Sequence, residues 1–182
     1  MTLREKYGEW GIILGATEGK AFCERLAKEG MNVVMVGRRE EKLKELGEEL
    51  KNTYEIDYKV VKADFSLPDA TDKIFAATEN LDMGFMAYVA CLHSFGKIQD
   101  TPWEKHEAMI NVNVVTFMKC FYHYMKIFAA QDRGAVINVS SMTGISSSPW
   151  NGQYGAGKAF ILKMTEAVAC ETEKTNVDVE VI

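Results

Sequence analysis

Six short runs rich in aliphatic and β-branched residues alternate with longer stretches of helical periodicity, and that alternation constrains the fold before any single residue is interpreted. The runs fall at 10–14, 32–36, 58–62, 85–90, 135–139 and 178–182. Helical patterns fall near 19–29, 39–52, 68–79, 103–130 and 153–174. Strand, helix and strand repeated in this way predict right-handed βαβ units and an α/β fold with a parallel sheet between helical layers. No repeat, low-complexity tract or linker interrupts the pattern, so residues 1–182 read as one domain. A length of 182 residues, 47% of them hydrophobic, supplies one well-buried core and is short for two.

Charge and apolar patterning exclude several classes. A net charge of −5 argues against a nucleic-acid or anionic-membrane partner. No apolar run is long enough to span a bilayer, and Met1 to Gly8 lack the apolar core of a signal peptide, so the expectation is a soluble cytoplasmic protein without membrane association. Cys23, Cys91, Cys120 and Cys170 have no metal or redox spacing and read as free, mostly buried thiols. No metal site is expected.

Chemistry concentrates between Ala135 and Lys158. The apolar run Ala135-Val136-Ile137-Asn138-Val139 leads into Ser140-Ser141, then a small-residue loop, then Tyr154-Gly155-Ala156-Gly157-Lys158. A tyrosine and a lysine four apart on a helix share one face. An ammonium beside a phenol would lower the phenol's pKa and suit it to proton transfer near neutral pH. Ser141 offers a second hydroxyl to the same substrate oxygen. Tyr-x-x-x-Lys alone is a weak signal, because the spacing also arises on solvated helices. Its context, Ile-Asn-Val-Ser-Ser-Met-Thr-Gly followed by Tyr-Gly-Ala-Gly-Lys-Ala, resembles the active-site segment of the short-chain dehydrogenase/reductase family.

That resemblance implies a doubly wound (Rossmann) sheet of strand order 3-2-1-4-5-6 and assigns roles by position. Tyr154 would be the acid/base, Ser141 would polarise the oxygen, and Lys158 would hold the nicotinamide ribose. Asn113, in Asn111-Val112-Asn113-Val114, matches the asparagine that completes the family's tetrad by opening a helix kink; as a lone mid-helix residue it would be only a tolerated polar group. Gly15, Thr17 and Gly19 fall in the family's cofactor loop, of form Thr-Gly-x-x-x-Gly-x-Gly. Gly15 and Gly19 match its first two glycines, but the x-Gly pair that should follow is absent. A loop two residues shorter rotates the helix start by about 200°, so either the loop tightens, or the first helical turn unwinds, or two residues of the natural protein are absent from this sequence. Asp64-Phe65 resembles the pair that meets the adenine, or is a turn acid before Pro68. Val89-Ala90-Cys91 stands where the family has Asn-Ala-Gly, which removes a structural asparagine. His93 and His106 read as loop and helix-surface residues.

The second strand ends in Gly37-Arg38-Arg39, with no acid for a ribose 2′-hydroxyl. Two guanidiniums at a strand's carboxyl end suit a 2′-phosphate, so Arg38 and Arg39 point to NADP(H); otherwise they begin a solvated helix. Similarity is greatest to the branch resembling 3-oxoacyl-CoA reductases and 17β-hydroxysteroid dehydrogenases, whose members continue past the sixth strand with C-terminal elements missing here. Two functions remain open. One is an NADP(H)-dependent reductase acting on a small-molecule carbonyl or secondary alcohol; the other is a catalytically impaired or non-catalytic relative that kept the tetrad. Apolar residues around the helices near 103–130 and 153–174 imply a homodimer or higher assembly.

Overall fold

The structure, a computed structural model, describes residues 1–146 and 148–182. Its strands are β1 (Trp10–Leu14), β2 (Asn32–Gly37), β3 (Tyr58–Lys62), β4 (Met83–Tyr88), β5 (Gly134–Asn138) and β6 (Val177–Val181). Its α-helices are α1 (Leu3–Tyr7), α2 (Lys20–Lys28), α3 (Glu40–Tyr54), α4 (Ala70–Thr78), α5 (Trp103–Ile110), α6 (Phe117–Gln131) and α7 (Gly152–Glu171). The strands pair in parallel in the order β3-β2-β1-β4-β5-β6, as the resemblance implies.

The central strands read as unbroken apolar runs because both of their faces are covered. Ile12, Leu14, Val34, Val36, Met86 and Tyr88 pack with Ile74, Phe117, Phe121 and Ile161 on one face. Ile13, Val33, Met35, Phe85 and Ala87 pack with Leu26 and Leu43 on the other. Each Val, Leu, Ile, Phe or Met side chain among them, fully buried, contributes roughly 1.5–3 kcal/mol of transfer free energy. β4 starts and ends two residues earlier than the sequence suggests. Val89 and Ala90 leave the strand because both of their N–H groups donate to the Leu14 carbonyl, at 2.8 Å each.

Three further departures have physical causes. The helix expected over 103–130 is interrupted by a π-helical segment, Asn111–Thr116. Its wider turn is held from outside: the Tyr88 hydroxyl donates to the Val112 carbonyl at 2.6 Å, and Thr116 Oγ1 to the Phe65 carbonyl at 2.9 Å. Helix α1 is an element the sequence reading did not include, although Thr2 and Glu5 form a capping box at its start. It docks because Gly84 has no side chain; a Cβ there would lie 1.9 Å from the Tyr7 carbonyl oxygen. The cysteines are all free, but Cys91 and Cys170 are exposed and only Cys23 and Cys120 are buried. Among the described residues no helix is long and apolar enough to cross a membrane, and no cluster of His, Cys, Asp and Glu is placed to hold a metal.

Candidate active site

In a sheet of this order the chain reverses direction between β1 and β4, and the crevice beyond their carboxyl ends is where ligands bind. A cavity of about 310 Å³ opens there, lined by Gly15, Thr17, Glu18, Gly37, Arg38, Arg39, Asp64 and Phe65, and by Cys91, Leu92 and His93 from beyond β4. Gly15 is indispensable to its shape. Its φ is 95°, and a Cβ would lie 2.6 Å from the backbone nitrogen of Ala90. Asp64 Oδ1 accepts from the Ser66 amide at 3.0 Å and the Ser66 hydroxyl at 2.7 Å. Burial opposes ionisation of Asp64, but these bonds and the nearby Arg38 guanidinium hold its pKa below the ordinary value. Phe65 lines the cavity without offering a polar side chain, since its buried ring packs edge-on against Tyr88.

The shortened loop tightens; the helix does not unwind. Gly15 to Gly19 form turns, with the Glu18 and Gly19 amides bonded back to the Gly15 carbonyl, and α2 starts at Lys20. Gly19 packs closely at the start of the helix: a Cβ there would meet Ile13 Cγ2 at 2.7 Å and Val89 Cγ2 at 3.2 Å. Val89, which replaces the family's asparagine, thus fills space against the helix start, and its own amide is bonded. Tightening has a consequence for the cavity. Its lining runs from Gly15 through Thr17 to Glu18, and Gly19, Lys20 and Ala21 do not contribute.

Tyr154 and Lys158 share a face of α7, with the Lys158 ammonium 5.8 Å from the centre of the Tyr154 ring. Three glycines let this helix settle. A Cβ on Gly155 would lie 2.7 Å from the Thr143 carbonyl, one on Gly157 would lie 2.9 Å from Asn113 Cβ, and one on Gly144 would lie 2.9 Å from the Lys158 backbone. The small residues therefore admit the chain's own turn and π segment to the helix. Lys158 is buried, and its Nζ donates to the Val139 carbonyl at 2.7 Å.

Electrostatics at Tyr154 differ from the expectation. Its pKa is raised, chiefly by burial, with Cys91 adding to the rise and the Ser141 hydroxyl opposing it. Lys158 is lowered by burial, and its ammonium donates to a carbonyl rather than to the Tyr154 hydroxyl. Ser141 caps the turn that follows it, its Oγ accepting from the Thr143 amide at 3.2 Å and the Thr143 hydroxyl at 3.0 Å. Asn113 uses its whole amide on one residue: Oδ1 accepts from the Leu92 N–H at 3.0 Å and Nδ2 donates to the Leu92 carbonyl at 2.7 Å. It pins the loop after β4.

That loop carries Cys91 and His93, expected as a thiol without a site role and as a loop histidine. The His93 ring meets the Tyr154 ring edge-on at 5.8 Å, and Cys91 is close enough to shift Tyr154 and Lys158. Their position just past the end of β4 was the available signal. His106 is also more than a surface residue, since it bonds to Gln153 of α7 and to the Ile98 carbonyl.

Residues 10–182 match the short chain dehydrogenase family. The chain is 99% identical, over 184 aligned positions, to a 7beta-hydroxysteroid dehydrogenase of Mediterraneibacter gnavus, covering all of this chain and 70% of that protein. The alignment is two positions longer than the chain. It is 82% identical to a 7beta-hydroxysteroid dehydrogenase of Collinsella aerofaciens, again over 70% of that protein. A very-long-chain 3-oxoacyl-CoA reductase of Rattus norvegicus is 30% identical, with 52% of its length covered. A solved structure bearing on 7beta-hydroxysteroid dehydrogenase stereoselectivity superposes with a TM-score of 0.98 at 81% identity, covering 71% of that chain. An NADPH complex of a short-chain dehydrogenase from Sphingobium yanoikuyae shares the fold, with a TM-score of 0.89 at 23% identity. The chain belongs to the short-chain dehydrogenase family.

Proposed function

We propose that residues 1–182 form one dinucleotide-binding domain that moves a hydride between NADP(H) and a carbonyl or secondary alcohol, the substrate being a steroid hydroxylated at the 7β position. One observation carries this reading. A single loop, Cys91 to His93, lines the cavity that holds Arg38 and Arg39 and also reaches Tyr154. The steroid class rests on the names of the relatives at 99% and 82% identity.

The residues present fit the adenosine end of such a cofactor. Arg38 and Arg39 offer forked, charge-assisted donors to a 2′-phosphate, and Asp64 retains Oδ2 for the adenine edge. Gly15 and Thr17 bring backbone to the pyrophosphate, and Gly19 supports them by its close packing. When bound, the nicotinamide accepts or supplies the hydride. The chain's own groups handle the proton and the orientation. Tyr154 gives its phenolic proton to the carbonyl oxygen in reduction and takes it back in oxidation. Ser141 donates a hydrogen bond to the same oxygen. Lys158 has protons beyond the one given to Val139 and directs them at the nicotinamide ribose. Asn113 holds the loop that brings Cys91 and His93 to the site.

The shortened loop favours a second reading for the chain as it stands, a member that keeps the proton-transfer residues and binds cofactor weakly. Fewer amides line the pyrophosphate side of the cavity, because the lining stops at Glu18. The function is tested in a chain given two residues after Gly19 and continued with the remaining segment of the Mediterraneibacter gnavus relative. With NADP⁺ and a 7β-hydroxysteroid it should produce NADPH, and Tyr154→Phe should cut the rate by at least about 100-fold. Undiminished turnover in Tyr154→Phe would rule out the assigned chemistry.

A further inference from the structure

The cofactor cavity contains a contact that bears directly on which dinucleotide it prefers. Arg39 Nη2 donates to the carboxylate of Glu18, and both residues line the cavity. Arg38 lies near Asp64, whose carboxyl it helps hold in the ionised form. Arg39 is thus ion-paired with a carboxylate, and Arg38 shares the cavity with another. Other charged groups nearby are committed elsewhere: Glu40 pairs with Lys44 and Lys62, and Lys20 with Glu24 and Glu49. An ion pair between half-exposed side chains adds little to the stability of a fold and exchanges readily. Its effect on an arriving dianion is larger in proportion, because the carboxylate both occupies the guanidinium fork and repels a phosphate placed beside it.

We propose that Glu18 is a specificity-determining residue of the cofactor site, competing with the 2′-phosphate for Arg39. The two arginines then discriminate a phosphorylated from an unphosphorylated ribose less strongly than they would alone. This rests on the reading of Arg38 and Arg39 as the 2′-phosphate site. Glu18 lies on the tightened turn between Gly15 and α2, a stretch of the cavity wall that departs from the family's loop.

Calorimetric titration with 2′,5′-ADP and 5′-AMP isolates the 2′-phosphate, because the two ligands share every other group. The quantity read is the ratio of their affinities, in the parent chain, Glu18→Gln, Arg38→Ala, Arg39→Ala and the Glu18→Gln/Arg39→Ala double variant. Glu18→Gln should raise the ratio by about two- to fivefold, the range spanned by exposed ion pairs. Arg39→Ala should lower it, and in that background Glu18→Gln should change it by less than about twofold. If Glu18→Gln shifts both affinities equally, or neither, while Arg39→Ala lowers the ratio, the role of Glu18 is wrong and the arginine site stands. If Arg38→Ala and Arg39→Ala both leave the ratio unchanged, the arginine reading fails, and the proposal with it.

Discussion

Tyr154 illustrates what a motif does and does not convey. Its spacing from Lys158 and its distance from Ser141 are visible in the sequence, and the structure sets the Lys158 ammonium 5.8 Å from the centre of the Tyr154 ring. The protonation state is not visible, because it depends on burial and on Cys91, which comes from another strand's end. Burial raises the phenol's pKa above its ordinary value of 10.0, so the protonated form persists across neutral pH. Carbonyl reduction, which consumes that proton, should be flat from about pH 7 to 9 and fall only above the raised pKa, whereas alcohol oxidation should climb with pH throughout. Rate profiles in both directions check this, and a reduction rate already falling at neutral pH would contradict it. At the other end of the site, Arg38→Ala should narrow the preference for NADPH over NADH by about 1.5–3 kcal/mol, the worth of a charge-assisted hydrogen bond. Equal affinities of the two dinucleotides in the parent chain would contradict that assignment.

At the scale of elements, the π segment links packing to the site. Asn113 sits in it, and its amide is the clamp on Leu92. Replacing Asn113 with Ala leaves a part-buried N–H and a C=O without partners, at about 1–3 kcal/mol for each unmet group. The variant should melt several degrees lower, and the Leu92 amide should exchange with solvent faster; an unchanged melting curve with unchanged exchange would show that the clamp is idle. Strands were the most legible elements, because a run such as Val33-Val34-Met35-Val36, covered on both faces, has few other places to go. The break in the long helix was legible only through the family resemblance, since the hydrogen bonds that hold it open come from Tyr88 and Phe65, remote in sequence. Helix α1 carried its own signal in Thr2 and Glu5 but is five residues long and depends on Gly84 for its docking. The outcome of the shortened loop was not legible at all: tightening and unwinding are equally compatible with the residues, and it is the bonding of the Glu18 and Gly19 amides to the Gly15 carbonyl that marks the tight turn.

At the scale of the molecule, two properties follow from surfaces and loops together. Trp103, Ile110 and Tyr122 on α5 and α6 are exposed at 66%, 40% and 59%, apolar side chains that assembly through these helices would cover. Sedimentation at micromolar concentration should therefore give a species larger than the 20.4 kDa chain, and a clean monomer would count against assembly through these helices. The tightened loop bears on the central claim, that the cavity beyond β1 and β4 is an NADPH site whose pyrophosphate contacts are curtailed. The direct measurement is a titration of NADPH into the chain and into the same chain with Ile-Gly inserted after Gly19. With one or two amide contacts to a charged group at stake, at about 1.5–3 kcal/mol each, the insertion should tighten binding by at least about tenfold. Micromolar affinity in the chain as it stands, unimproved by the insertion, would contradict the account.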